Sequence, residues 1–316
     1  MPRLTFADLK GIWAGLMMTW DESDRFDEAS YRKNVDRLCL SGAHGVYTTG
    51  STGEFYALDE AEFRAMVDIV DEVCGARGIP LQIGCNADST RKILRLLEYA
   101  AGKKNVGGVQ VVVPYWMELN DRELLAYFRD LHAGCPDMPL IHYNIPRAKR
   151  YLTGPDYVRL REAAPTLVGV KFTFAGSNFG SLQEAVRLNP GVSYFVGENL
   201  LVSGMLVGAR GSCSSLISTN PKVILTLYER AAAGRWEEAA ALQRTIARFF
   251  SEAMEFVASR GEGAMDPVFD KGLAAASGAF AGSQRTRAPY IGWTDETVSA
   301  VREWLRGNYP QLIYQL

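Results

Sequence analysis

A chain of 316 residues with 47% hydrophobic and 22% charged residues has an ordinary globular composition, which excludes a disordered or fibrous protein. It is long enough to bury a core without disulfide or metal staples. Its 34 basic and 36 acidic residues leave a formal charge of -2, without the basic excess of a nucleic-acid binder.

The five cysteines, Cys39, Cys74, Cys85, Cys135 and Cys213, stand singly with no CxxC spacing. That points to reduced thiols, buried as small core residues, in a cytoplasmic protein. The apolar stretch 12–18 is too short to span a membrane and is soon followed by Asp21 and Glu22. No signal-cleavage pattern comes after it.

In chain order, β-rich apolar runs recur at 12–19, 45–49, 80–85, 108–113, 139–143, 167–172, 192–196 and 211–216. Most are continuous rather than alternating, as strands of a parallel sheet covered on both faces are. Helical patterns lie between them. Segment 59–67 opens with acids, and Phe63, Met66, Val67 and Val70 form one apolar stripe. Segments 89–97 and 120–131 read the same way, with Asn120 or Asp121 as N-cap of the latter. The Gly204–Gly208 spacing reads as a helix running into a turn rather than a membrane-dimer motif. Beyond 216 the strand signals stop, and 221–233, 235–257 and 294–305 read as helices. Eight strands alternating with helices predict an α/β fold, a (β/α)8 TIM barrel over residues 1–225, with a C-terminal helical extension over 226–316.

Three motifs at strand ends carry candidate chemistry. Lys171 lies in Val168-Gly169-Val170-Lys171-Phe172-Thr173. Apolar neighbours desolvate its amine and disfavour the ammonium, and a neutral amine attacks ketones to form a Schiff base. The alternative is a structural lysine snorkelling to water. Gly50-Ser51-Thr52-Gly53-Glu54 follows the second strand and offers consecutive N–H groups and two hydroxyls to an anion, or else forms a capped Gly-rich turn. It lacks the GKS or GKT ending of a P-loop. His142-Tyr143-Asn144-Ile145-Pro146 ends the fifth strand. Its tyrosine is either a proton relay or a buried hydrogen-bonded phenol. The three histidines, His44, His132 and His142, form no HxH or HxxxH pair, so a metal-dependent mechanism is not expected. No GxSxG elbow marks a serine hydrolase.

These three motifs, in this order on these strands, resemble the family of dihydrodipicolinate synthase and N-acetylneuraminate lyase. Gly197 and Gly208-Ala209-Arg210-Gly211 with Ser214 also fit, and the resemblance covers nearly the whole chain. It implies a barrel with a helical extension, usually in a homotetramer. It further implies that Lys171 forms a Schiff base with a 2-oxo acid, typically pyruvate. Ser51 and Thr52 would hold the carboxylate through N–H and hydroxyl groups, and Tyr143 would shuttle protons. Cofactors are expected to be none, neither metal nor organic, because a protonated imine is itself the electron sink.

Departures from the family pattern bear on the substrate. Ala148 stands where dihydrodipicolinate synthases carry an arginine for the second substrate, with Arg147, Lys149 and Arg150 nearby in sequence. Trp116 replaces a relay tyrosine of the fourth-strand loop, and an indole does not titrate as a phenol does. Tyr115 could stand in only if the loop shifts. Ser51 and Thr173 lean toward the sialic acid lyases. Asn199 and Leu200, however, replace the Asp and Glu that read the sugar tail there, and Leu200 binds no hydroxyl. Glu198 and Ser215 remain as tail contacts, and Phe172 and Trp116 either shape a shorter, less polar tail site or pack in the core.

The reading that follows is a lyase of the class I aldolase type, cleaving a 2-oxo acid reversibly to pyruvate and an aldehyde. The expected catalytic residues are Lys171, Tyr143, Ser51 and Thr52. Substrate contacts are expected from Thr173, Gly197, Glu198, Asn199, Ser215 and Trp116 as well. The alternatives are a 2-keto-3-deoxy acid dehydratase or deaminase, a 4-hydroxy-tetrahydrodipicolinate synthase, and a non-catalytic 2-oxo acid binding protein. Neither nucleic acid nor membrane is an expected partner.

Overall fold

The structure, a computed structural model, describes residues 2–173 and 179–314. Eight strands close into a barrel: β1 (Gly11–Gly15), β2 (Gly45–Tyr47), β3 (Leu81–Gly84), β4 (Val106–Val111), β5 (Leu140–Asn144), β6 (Leu167–Phe172), β7 (Ser193–Val196) and β8 (Gly211–Ser214). All neighbours are parallel, and β8 pairs back onto β1. Closure requires a very close backbone approach. Gly11 is in register with Gly211, and a Cβ on Gly211 would lie 1.9 Å from the Gly11 carbonyl oxygen.

Each strand is followed by a helix: α1 (Glu28–Cys39), α2 (Glu60–Arg77), α3 (Thr90–Ala101), α4 (Asp121–Gly134), α5 (Gly154–Ala163), α6 (Phe179–Leu188), α7 (Leu201–Leu206) and α8 (Pro221–Ala232). Three more, α9 (Trp236–Ala258), α10 (Val268–Ser277) and α11 (Asp295–Asn308), form the C-terminal extension. The eighth barrel helix thus straddles residue 225. Helix α2 begins with a capping box between Asp59 and Glu62 and stops at Gly78, whose φ is +68°. Asn120 is the N-cap of α4, accepting from the Glu123 amide. Helix α7 runs into Gly208, at φ +102°.

Side chains alternate across each strand. On β5, His142 points outward to the Tyr157 hydroxyl at 2.9 Å, while Tyr143 points inward. On β6, Phe172 packs outward on Tyr151 and Tyr194, while Lys171 lines the interior. Beneath Lys171 the barrel is filled by Leu9, Trp13, Tyr47, Ile141, Phe195 and Cys213. The barrel is therefore a packed core whose strand ends present the chemistry. Among the described residues, no helix is long and apolar enough to cross a membrane.

The cysteines are free thiols: Cys74, Cys85 and Cys213 are buried, and Cys39 and Cys135 are half-buried. Cys39 and Cys74 approach to 3.6 Å between sulfurs.

Candidate active site

Strand register sets Tyr143 opposite Lys171 and Lys171 opposite Phe195. The Lys171 Nζ lies 4.1 Å from the centre of the Tyr143 ring and 4.9 Å from that of Tyr47. A Cβ built on Gly50 would be 3.8 Å from the same nitrogen, so the Gly50–Glu54 turn passes directly beside it.

That turn is held open by its surroundings. Thr49 has a φ of +47°, which ends β2, and its hydroxyl donates to the Gly84 carbonyl at 2.7 Å. Asn86 donates to the Thr49 carbonyl and accepts from the Val112 amide, so loops after β2, β3 and β4 are tied together. A Cβ on Gly53 would meet the Thr49 amide nitrogen at 2.7 Å and the Leu16 carbonyl at 2.9 Å. Among the described residues, the Ser51 and Thr52 amides donate to no backbone carbonyl. Two consecutive open N–H groups at a strand's C-terminal end suit a carboxylate.

The two hydroxyls of the turn have other partners. Ser51 Oγ is 3.2 Å from Tyr143 Oη, and Thr52 Oγ1 donates to Asp270 Oδ2 at 2.6 Å. The Thr52 hydroxyl is thus committed to Asp270, while the two amides and the Ser51 hydroxyl, which can accept from Tyr143, are open to an anion. Glu54, the last residue of the motif, is fully buried. It pairs with Lys271, also fully buried, and accepts from the Trp20 indole and the Arg287 amide at 3.0 Å each.

Burial pulls the Lys171 pKa down, but Tyr143, Tyr47, Cys213 and Asp266 pull it up, and the upward pulls prevail. The negative faces of two aromatic rings favour the charged form. The folded environment thus raises the Lys171 pKa above the ordinary lysine value, where burial alone would lower it. Desolvation acts as expected, but local sequence did not reveal the rings and acids that tertiary folding brings around it. Burial also raises Tyr47, and it raises Cys213 to about 12. Asp270 is pushed up to about 7, by burial first and then by Asp266 and Glu198.

Lys171, Tyr143, Thr52, Thr173, Gly197, Glu198 and Ser215 line one cavity of about 230 Å³. Glu198 is fixed there by the amides of Ser215 and Leu216, at 2.6 and 3.0 Å. A second cavity of about 220 Å³ is lined by Ser51, Tyr115, Arg147 and Ala148, and it shares Tyr143 and Asp266 with the first. Arg147 pairs with Asp266 at 2.8 Å. Lys149 and Arg150 turn away, to the Trp116 carbonyl and to Leu119 and Asp121.

Two expected contacts, Trp116 and Asn199, lie elsewhere. Trp116 is 77% exposed and lines neither cavity, whereas Tyr115 lines the second. The loop turns the phenol inward and the indole out. Asn199 is exposed outside both cavities, and Leu200 packs against the hydrophobic core.

Local reading missed the residues that close the site from the C-terminal extension: Asp266, Asp270, Phe269, Phe250, Met254 and Met265. A signal was present. Asp270 and Lys271 interrupt a stretch, Val268 to Ala276, that is otherwise apolar all round, and a buried helix must pair such charges. The histidines stand apart. His44 accepts from the Ile12 amide, and His132 meets Thr166. Among the described residues, no group of three or more His, Cys, Asp or Glu side chains is arranged to hold a metal ion.

Comparison with known proteins gives this geometry a family. A 4-hydroxy-tetrahydrodipicolinate synthase of Thermus thermophilus is 32% identical over 221 residues, covering 68% of this chain and 72% of the relative. An N-acetylneuraminate lyase of Rhizobium meliloti is 30% identical over 239 residues, covering 74% and 77%. Among solved structures, YagE of E. coli K12 is a prophage protein of the dihydrodipicolinic acid synthase family, solved in complex with pyruvate. It matches with a TM-score of 0.84 at 20% identity, over 96% of this chain and 98% of that one. At that identity the likeness is one of fold. The model of the dihydrodipicolinate synthetase family matches residues 8–261, and the chain is a lyase belonging to that family.

Proposed function

We propose that the chain is a Schiff-base lyase of the class I aldolase type, acting on a 2-oxo acid and releasing pyruvate and an aldehyde reversibly. The observation that carries this reading is the Lys171 nitrogen lying over the Tyr143 ring, beside the turn that holds the open Ser51 and Thr52 amides.

The steps follow from that arrangement. The 2-oxo acid's carboxylate sits on the two amides. The ammonium loses its proton, and the amine attacks the ketone carbon. Water leaves with protons passed along the Tyr143 and Ser51 hydroxyls, giving a protonated imine. A base takes the proton of the hydroxyl one carbon beyond the breaking bond's inner carbon. That bond breaks and its electron pair moves to the imine nitrogen, while the aldehyde leaves. Reprotonation of the enamine carbon and hydrolysis release pyruvate and the amine. The imine is the electron sink, and the scheme draws on no metal or organic cofactor. Cytoplasmic location and a homotetramer belong to the same proposal, the first supported by the scattered free thiols and the second resting on the family resemblance alone.

A dehydratase or deaminase would use the same imine, and product analysis separates them. A second reading, 4-hydroxy-tetrahydrodipicolinate synthase, is favoured by the Thermus thermophilus relative. Against it, Ala148 lines the second cavity where an arginine would be wanted, and the Arg147 beside it is paired with Asp266.

Borohydride reduction with pyruvate, followed by peptide mass spectrometry, tests the proposal. A reduced adduct on Lys171 is expected in the wild type and none in Lys171→Ala, whose fold is retained. No adduct in the wild type, or turnover retained in Lys171→Ala, overturns it.

A further inference from the structure

The C-terminal extension supplies one wall of the Lys171 cavity. Phe250 and Met254 of α9, Met265 of the following loop and Phe269 of α10 make that wall apolar. Two carboxylates, Asp266 and Asp270, are set into it. Both lie beyond residues 8–261, the part that matches the family model. An ionised carboxylate accepts hydrogen bonds and donates none. Asp266 is already met by the Arg147 guanidinium at 2.8 Å. Asp270 faces the cavity, with Oδ2 on the Thr52 hydroxyl at 2.6 Å. Thr52 belongs to the turn whose amides face the oxo acid's carboxylate, so Asp270 borders the space left for the rest of the substrate.

We propose that Asp270 is a specificity-determining residue of this lyase: it accepts a hydrogen bond from a hydroxyl on the substrate's tail, and it selects 2-oxo acids that cleave to short, uncharged hydroxyaldehydes over those whose tail carries a second carboxylate. This rests on the Schiff-base reading and deepens it. Charge makes the argument. Among the described residues, Lys171, as the protonated imine, is the one cation of this lining, and Arg147 of the neighbouring cavity is paired with Asp266, while Glu198, Asp266 and Asp270 all line it. A carboxylate on the tail would meet the like charge of these side chains, with only the neutral hydroxyls of Thr173, Ser215 and Tyr143 to answer it among the described lining residues. The space beside Lys171, about 230 Å³, takes pyruvate and a short tail, and a longer tail would have to enter the neighbouring cavity that shares Tyr143 and Asp266.

The test, run at about pH 8 so that Asp270 is ionised, condenses pyruvate with glyceraldehyde, with propionaldehyde, and with succinic semialdehyde as the anionic aldehyde, comparing kcat/KM in wild type and Asp270→Asn. The wild type is expected to favour glyceraldehyde over the anionic aldehyde by at least about 10²-fold. In Asp270→Asn that ratio should fall at least about tenfold, while the pyruvate adduct on Lys171 still forms, which also reports an intact site. A wild type that prefers the anionic aldehyde or does not distinguish it from glyceraldehyde overturns the assignment, whether or not the variant folds. So does an adduct-forming variant with an unchanged ratio. If the wild type forms no pyruvate adduct at all, the Schiff-base reading falls first and takes this assignment with it.

Discussion

At the scale of single residues, the site turns on where protons rest. Lys171 lies between the faces of Tyr143 and Tyr47 with its pKa raised above the ordinary lysine value, and it attacks only as the free amine. Because its pKa is raised, the free amine fraction grows with pH. The initial rate of pyruvate adduct formation should therefore climb from about pH 7 to about pH 9, and a flat profile would mean that the amine is already free. Tyr143→Phe removes the hydroxyl that meets Ser51 at 3.2 Å. It should lower kcat by roughly 10²–10⁴-fold, the usual range for lost acid–base help, and a change confined to KM would argue against a relay. Asp270 faces Thr52, Ser215, Asp266 and Glu198, with Lys171 and Tyr143 on the same cavity, and its pKa is pushed up to about 7. The folded chain thus keeps a proton there that the unfolded chain has lost. Its contribution to stability is full at acid pH, below the ordinary aspartate value, and is lost as the pH rises toward about 7. Asp270→Asn should therefore match the wild type in thermal stability near pH 4 and exceed it near pH 8, read from melting curves at both values.

At the scale of elements, the turn after β2 and helix α10 behave as one unit. Adjacent residues of α10 hold adjacent parts of the motif: Asp270 takes the Thr52 hydroxyl and Lys271 the Glu54 carboxylate. Breaking a buried ion pair from one side leaves an unanswered charge, which costs about 3–5 kcal/mol. Lys271→Met should lower the urea midpoint accordingly, and adding Glu54→Gln should recover part of the loss. Equal stability of Lys271→Met and wild type would show that the pair holds nothing in place. Elements such as β4, β5 and α2 were legible because continuous apolar runs and capping residues are local signals. Strand ends were less so. The first run extends to Thr19 in sequence, yet β1 stops at Gly15, because Leu16 to Thr19 stay buried without a ladder of their own. Helices α1, α5 and α6 were not read, since Glu28–Cys39 is polar on average and Gly154-Pro155 looks like a turn although proline is well placed at a helix start.

At the scale of the whole molecule, the C-terminal extension lines the Lys171 cavity rather than standing apart from the barrel. A chain ended after Gly261 lacks Asp266, Asp270 and Lys271, exposing the barrel mouth and leaving Glu54 unpaired. Such a chain is expected to be poorly soluble and to form no pyruvate adduct; a soluble, adduct-forming truncation would show that the barrel suffices. The sequence by itself determined the barrel, the order of its strands and the three motifs at strands two, five and six. Each of these is written in runs of a few residues, where periodicity and turn chemistry act. The tertiary structure alone decided the surroundings of Lys171, the inward turn of Tyr115 instead of Trp116, and the carboxylates that line the Lys171 cavity. The Thr52–Asp270 contact joins residues 218 positions apart. Electrostatic environment is the sum of whatever folding brings within a few ångströms, and no local pattern records it.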